Sequence, residues 1–420
     1  MVKTNGRFAD IPDFYQKAEP VSSPVAEKGR SPGYSFPFQI DAIFCYVSFA
    51  TMKADRTRQL PLFPTHVIGS LPRPRVVRDL LKSREIDGMP EAEFKAAMDD
   101  MVRFAIRLQE QAGLDVVSDG EWRRSHYIGE FLKRIGGFEP VRKFTHQGEE
   151  KFTDVVVRRI EATEPVFAED ATFLAANTDR VTKFGLPSPF LIAIRYWHED
   201  YSRSAYPTIK DFLDDLTARI RVEAIALEKA GIDIIQLDDP ALTYFCDAQV
   251  MKGETHDERL RQNWDIDTQL PMAVGSINTI TEGLKAEIHL HCCHSVYKRM
   301  SDVTGDYKPL LPRLADANID RVNLEFAYQG TGNASDLKVL PENIDVGMGV
   351  VDIRTETPQS VEEMMSIAVA GTKLIAPERI ALNPDCGFAP DAGEPPSIDE
   401  AFLKLKRLCK VAQMLRAEYS

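Results

Sequence analysis

Basic residues are in the minority in this chain of 420 residues: 51 Lys and Arg stand against 64 Asp and Glu, for a formal net charge of −13. Such a balance offers no electrostatic footprint for nucleic acid and is repelled by anionic membrane surfaces. Cysteine is scarce, with six residues in all, too few for a disulfide scaffold. Long apolar runs are missing too. The most apolar early stretch, 40–50, falls well short of the ~20 residues that span a bilayer. Met1 to Gln16 contains no apolar core of a secretory signal, so a reduced, cytoplasmic protein is expected. A Gly-rich phosphate loop is also absent, because Gly330-Thr331-Gly332 lacks the third Gly and the Lys that such a loop needs. The remainder, 44% apolar and 27% charged, is an ordinary globular composition.

What is present is pattern. Glu91 to Ala112 sets Phe94, Met98, Met101, Ala105, Leu108 and Ala112 at helical spacing and stops at Gly113. Ile209 to Ala230 repeats the device with Leu213, Leu216, Ile220, Ile225 and Leu227, stopping at Gly231. Each helix runs into a short β-branched segment whose far end carries carboxylates: Asp119 and Glu121, then Asp238 and Asp239, and, in a third such unit, Glu325. Helix followed by buried strand, repeated in register, is the signature of parallel βα architecture. Eight strand ends can be marked: Val67–Ser70, Val116–Asp119, Phe190–Ile194, Ile232–Asp238, Glu287–Cys293, Arg321–Glu325, Asp345–Val350 and Arg379–Asn383. The expected fold is therefore an α/β (β/α)8 TIM barrel over 59–420, with a β-hairpin inserted after the second strand and lying over the mouth. Residues 1–58, with Pro, Ser and Gly and no sustained periodicity, are expected to form a disordered N-terminal extension.

One local count is unusual. Positions 289–294 read His-Leu-His-Cys-Cys-His, holding three of the eight His and two of the six Cys. On a strand, alternate residues share a face, so His289, His291 and Cys293 point one way and Leu290, Cys292 and His294 the other. His291 and Cys293 lie nearest the strand's end, which in a barrel is where chemistry is kept. The next strand ends in Glu325, and Asn383-Pro384-Asp385-Cys386-Gly387 supplies a thiol on a tight turn. One nitrogen, one oxygen and two sulfurs suit tetrahedral Zn²⁺. A lone His or Cys is more often core filling, and Cys45, Cys246 and Cys409 are read that way. The cluster together with a distant Cys is read as a metal site.

These residues resemble the zinc set of the cobalamin-independent methionine synthase family, in its C-terminal catalytic barrel and especially its short "core" members. Ile68-Gly69-Ser70, Asp119-Gly120-Glu121 and Gln236-Leu237-Asp238-Asp239-Pro240-Ala241-Leu242 carry the likeness further, from about Pro64 to Ala417. The resemblance implies a zinc-dependent methyltransferase that methylates the thiol of homocysteine to give methionine. By the same resemblance His291, Cys293, Glu325 and Cys386 hold zinc, Ile68, Gly69 and Ser70 hold the amino acid's carboxylate, and Glu121 and Asp238 hold its ammonium group. The alternatives are a salt bridge from Glu121 to Arg123 or Arg124, and capping of a turn by Asp238.

The chain departs from the family pattern in two motifs, and 1–58 cannot supply the second barrel of the full-length form. Where a Glu contacts folate, Tyr244 stands; where a His donates a proton, Gly347-Met348-Gly349-Val350-Val351-Asp352-Ile353 leads to Arg354. Arg cannot donate a proton near neutral pH but clamps anions bidentately, so Arg354 is a candidate substrate residue. The expected donor is accordingly not polyglutamyl methyl-folate, and a methylcorrinoid or corrinoid protein is the candidate. Trp122, Trp197 and Tyr244 are candidates for the donor-facing wall, with plain aromatic packing as the alternative. Two other functions stay open: alkyl transfer to or from another thiol, as in epoxyalkane–coenzyme M transferases, and a non-catalytic zinc- and thiol-binding barrel. No nucleic acid or membrane partner is expected; a homo-oligomer remains open.

Overall fold

The computed structural model describes residues 56–420 apart from 147–148, 163, 256–257, 298 and 390–395. Almost all of the expected extension, and Cys45 with it, lies outside the described residues. Seven parallel strands form one sheet in the order β1 (Val116–Val117), β4 (Val181–Pro187), β5 (Ile234–Asp238), β6 (Glu287–Cys292), β7 (Arg321–Glu325), β8 (Asp345–Val351) and β9 (Ile380–Pro384). The eighth position is taken by a short segment. Leu382 N–H donates to Pro64 O and His66 N–H to Leu382 O, while Val116 N–H donates to Thr65 O, so Pro64–His66 bridges the two sheet edges. Among the described residues no helix is long and apolar enough to cross a membrane.

Both long helices begin and end where the apolar periodicity does, at Glu91–Ala112 and Ile209–Ala230. Each ends on a left-handed glycine, Gly113 at φ 99° and Gly231 at φ 90°, a conformation that costs other residues a Cβ clash. A reciprocal pair of bonds between Thr208 and Asp211 starts the second helix.

Two strands were misplaced by sequence: Val67–Ser70 forms none, its position being taken by Pro64–His66 just before it, and the other error is larger. Phe190–Ile194 is not a strand but the heart of a helix, Pro189–Tyr196, capped by Ser188, whose Oγ accepts from Leu191 N–H at 3.1 Å. The third barrel strand is β4, just before it. A short, wholly apolar run is ambiguous between strand and buried helix, and β4 was disguised by Lys183 and Gly185, which face a polar barrel interior. The expected hairpin is present as β2 (Phe138–His146) paired antiparallel with β3 (Glu149–Val156).

Replacing Gly231 by Ala should destabilise the fold by ~1–2 kcal/mol through its left-handed φ, and Asn should recover part of that loss. The midpoint of urea unfolding, compared across the three proteins, checks this.

Candidate metal and substrate site

Sheet register builds the site. β5 and β6 pair so that Asp238 lies directly beside His291, and His291 Nδ1 meets Asp238 Oδ1 at 2.9 Å. That contact places the Nδ1 proton and turns Nε2 outward, where it is buried with no hydrogen-bond partner. Cys293 follows the end of β6, its carbonyl held by Thr243 Oγ1 at 2.9 Å. Cys386 arrives on the turn after β9, with its Sγ 3.3 Å from that of Cys293. One ligand atom from each of His291, Cys293 and Cys386 lies within 4.8 Å of the others, and all three residues are buried. An orphaned imidazole nitrogen converging with two thiols is a donor set that fits a borderline-soft divalent ion.

Charge within the group pairs a thiolate with an imidazolium, so a metal ion would displace the His291 proton on binding. The hydrogen bond from Cys386 and the charge of His291, working against burial, bring the Cys293 thiol down to about 5. Burial pushes His291 down, but the Cys293 thiolate and Asp238 outweigh it and hold the ring up at about 10.

Glu325 stands apart from this group. Its Oε2 accepts from His294 N–H at 3.1 Å and meets His294 Nδ1 at 2.9 Å, while its Oε1 accepts from Arg354 Nη2 at 2.8 Å. Although burial raises it, Arg354 and then His294 draw its carboxyl down to about 2. The position of Glu325 at the end of β7 was legible, but not that both of its oxygens are already engaged. Arg354 is likewise committed, to Glu325 and, at 3.7 Å, to Asp385, and is not among the residues lining the cavity. His294 was placed on the far face, yet β6 ends at Cys292, so strict alternation ends with it. His289 supports the barrel interior rather than the ligands: its Nε2 meets Glu287 Oε1 at 2.8 Å.

The three ligand candidates open into a cavity of about 200 Å³. Ile68, Gly69, Ser70, Glu121 and Asp238 line it beside them. Neither alternative for the two carboxylates is realised. Arg123 pairs with Asp99 and Asp170, Arg124 Nη1 donates to Gly185 O, and Asp238 accepts from Gln236 Nε2 at 2.7 Å besides meeting His291. Glu121 itself has φ 59°, a left-handed conformation unusual outside glycine. Gly69 makes room for it, since a Cβ there would lie 2.3 Å from Glu121 Oε1, and Gly185 does the same more loosely for Asp238, whose Oδ2 would lie 3.1 Å from a Cβ.

The family profile described as "Cobalamin-independent synthase, Catalytic domain" matches residues 63–414. The chain belongs to the cobalamin-independent methionine synthase family. It is by family a methyltransferase. Methionine synthase of Pyrococcus furiosus is 31% identical over 335 residues, covering 79% of this chain and 87% of that protein. The Pyrococcus horikoshii methionine synthase is 30% identical over 367 residues, 86% of this chain and 95% of that one. Among solved structures, a B12-independent methionine synthase from Shewanella sp. W3-18-1 in complex with selenomethionine superposes with a TM-score of 0.69 at 25% identity, covering 85% of this chain and 98% of that one.

In this member of the cobalamin-independent methionine synthase family the outer part of the cavity was not foreseen. Trp122, Trp197 and Tyr244 do not line it; Tyr127, Tyr196, Phe144, Lys151, Arg195 and Arg259 do. Trp122 instead stacks on Phe104, and Trp197 Nε1 donates to Tyr206 O at 3.1 Å. Hairpin residues Phe144 and Lys151 carry no motif, but Arg195 closes an otherwise apolar run, Phe190-Leu191-Ile192-Ala193-Ile194. A charge ending a buried stretch was the available signal.

Burial, reinforced by Asp238 and Asp119 and opposed by Arg124, pushes the Glu121 carboxyl from 4.5 up to about 7. A raised carboxyl pKa favours folding fully below its unfolded value, and that contribution fades as pH climbs through 7, by roughly 3 kcal/mol. Glu121→Gln should therefore raise the thermal midpoint at pH 8 and change it little at pH 5. Lys183 and Asp239 also sit at about 7, so it is the difference between variant and parent across pH that isolates Glu121.

Proposed function

We propose that the chain is a zinc-dependent methyltransferase that places a methyl group on the sulfur of homocysteine, giving methionine. The observation that carries this reading is the double use of Asp238. The same carboxylate that orients His291 lines the cavity next to Glu121, so a metal donor set and a paired-carboxylate pocket for an ammonium group adjoin. His291, Cys293 and Cys386 would hold the zinc, which would supply a Lewis acid that lowers a thiol's pKa.

The chain's own residues do the rest. Asp238 fixes the tautomer of His291. Glu121 and Asp238 receive the ammonium group of the amino acid, and backbone N–H groups of Ile68, Gly69 and Ser70 receive its carboxylate. Glu325, neutralised by Arg354 and His294, stands near the thiols as a charge-balanced group rather than a committed ligand. Relatives called methionine synthases, and one solved with selenomethionine, support the acceptor. The carboxylate pair favours an ammonium-bearing thiol over a sulfonate thiol of the coenzyme M kind. As donor we propose a methylcorrinoid, free or protein-bound, rather than polyglutamyl methyl-folate, since Tyr244 is turned onto Arg195, whose Nη2 donates to its hydroxyl at 2.6 Å.

The test is a donor panel with homocysteine: methylcobalamin, methyl-folate mono- and triglutamate, and S-methylmethionine, with methionine measured directly. The purified protein should carry about one zinc per chain, and Cys293→Ser or Cys386→Ser should lose both metal and turnover. Asp238→Asn should weaken zinc binding by ~10–100-fold. Methionine formed equally well by metal-free Cys386→Ser would contradict the reading.

A further inference from the structure

The cavity is electrically divided. Glu121 and Asp238 line it near the strand ends, whereas Arg195 lines it from a helix, Lys151 from the hairpin and Arg259 from beyond β5, with Asp302 the one carboxylate on that side. Of the cations Arg195 is the most informative. It ends the helix Pro189–Tyr196 and is half-buried. Its Nε and Nη2 both donate to Tyr244 Oη, at 3.1 and 2.6 Å, and Nη2 reaches Ser295 Oγ at 3.4 Å. These are neutral oxygens. Arg123, Arg219, Arg321 and Arg354, by contrast, each meet a carboxylate. Among the described residues Arg195 has no ion-pair partner and its Nη1 no hydrogen-bond partner. Asp239 acts on it only from beyond ion-pair distance, and a guanidinium withdrawn from water with no carboxylate in contact is unfavourable until a ligand supplies one.

We propose that Arg195, supported by Arg259 and Lys151, binds an anionic group, phosphate or carboxylate, on the methyl donor. The inference rests on the methyltransferase reading above. Tyr244 holds the Nε–Nη2 edge of the guanidinium, which leaves Nη1 to donate to such an anion, with Nη2 joining it where the anion replaces the 3.4 Å contact to Ser295. The donor, rather than the thiol, is the occupant because the carboxylate pair and the Ile68–Ser70 segment already serve an amino acid at the other end. Tyr127, Tyr196 and Phe144 line the same side and offer flat faces to a conjugated molecule.

Two donor pairs distinguish the sources of the anion: methylcobalamin against methylcobinamide, which lacks the nucleotide phosphate, and methyl-folate triglutamate against monoglutamate, which has fewer carboxylates. Binding of each to the zinc protein is measured by calorimetry, for the parent, Arg195→Gln and Arg195→Lys, with homocysteine titrated in parallel. The parent should bind the more anionic member of one pair at least tenfold more tightly. Arg195→Gln should erase that preference, Arg195→Lys should restore part of it, and homocysteine affinity should stay unchanged in both. Equal losses within both pairs, no loss, or no binding of any of the four by the parent overturns the proposal. A fall in homocysteine affinity matching that of the donor also overturns it, since Arg195 would then serve the thiol. Failure of the parent to bind homocysteine at all is a different result and counts against the methyltransferase reading instead.

Discussion

The hydrogen bond between Asp238 and His291 is the contact on which the site depends. It is dictated by the sheet, because parallel pairing of β5 with β6 makes the two residues neighbours. Asp238 Oδ1 is shared between His291 and the Gln236 amide, and that amide also donates to Ile68 O at 2.9 Å. Gln236 cannot flip. Its Oε1 faces Lys183 Nζ at 2.9 Å and Asn323 Nδ2 at 3.1 Å, and an ammonium group can only donate. The amide N–H groups must therefore face Ile68 and Asp238. One side-chain orientation in the barrel core thus positions the segment before Ser70, the cavity carboxylate and His291 together.

This explains why the barrel interior carries charge where aliphatic layers are usual. Lys183 is 1% exposed, and burial draws its ammonium down to about 7. Leaving such a group in the core is unfavourable unless its donors are used, and here they are: besides Gln236 it donates to Val67 O and meets His66 Nδ1 at 2.9 Å. The polar core is the support for the site above it. Glu121 is another buried group with a fixed place, since Gly69 leaves the space that its carboxyl fills.

Much of this was legible in the sequence, for identifiable reasons. The helices Glu91–Ala112 and Ile209–Ala230 announce themselves by period and by terminal glycine. His291, Cys293 and Cys386 are found because thiols and imidazoles at strand ends are rare enough to count. What sequence could not carry is which lone pairs are already spent. Glu325 sits at the expected strand end, but that its two oxygens meet His294 and Arg354 depends on three separate elements coming together. Phe190–Ile194 failed for a different reason, since a five-residue apolar run has no period to read. Arg195 was passed over because its importance lies in the lack of a carboxylate beside it, which only the assembled structure displays.

We propose the His291, Cys293 and Cys386 group as the place where the acceptor thiol is held. X-ray absorption at the zinc edge tests this most directly, with and without homocysteine. Without it the spectrum should fit two sulfur neighbours with nitrogen or oxygen completing the shell; with it the sulfur count should rise to three. A sulfur count that stays at two when homocysteine is bound and being methylated would contradict the account.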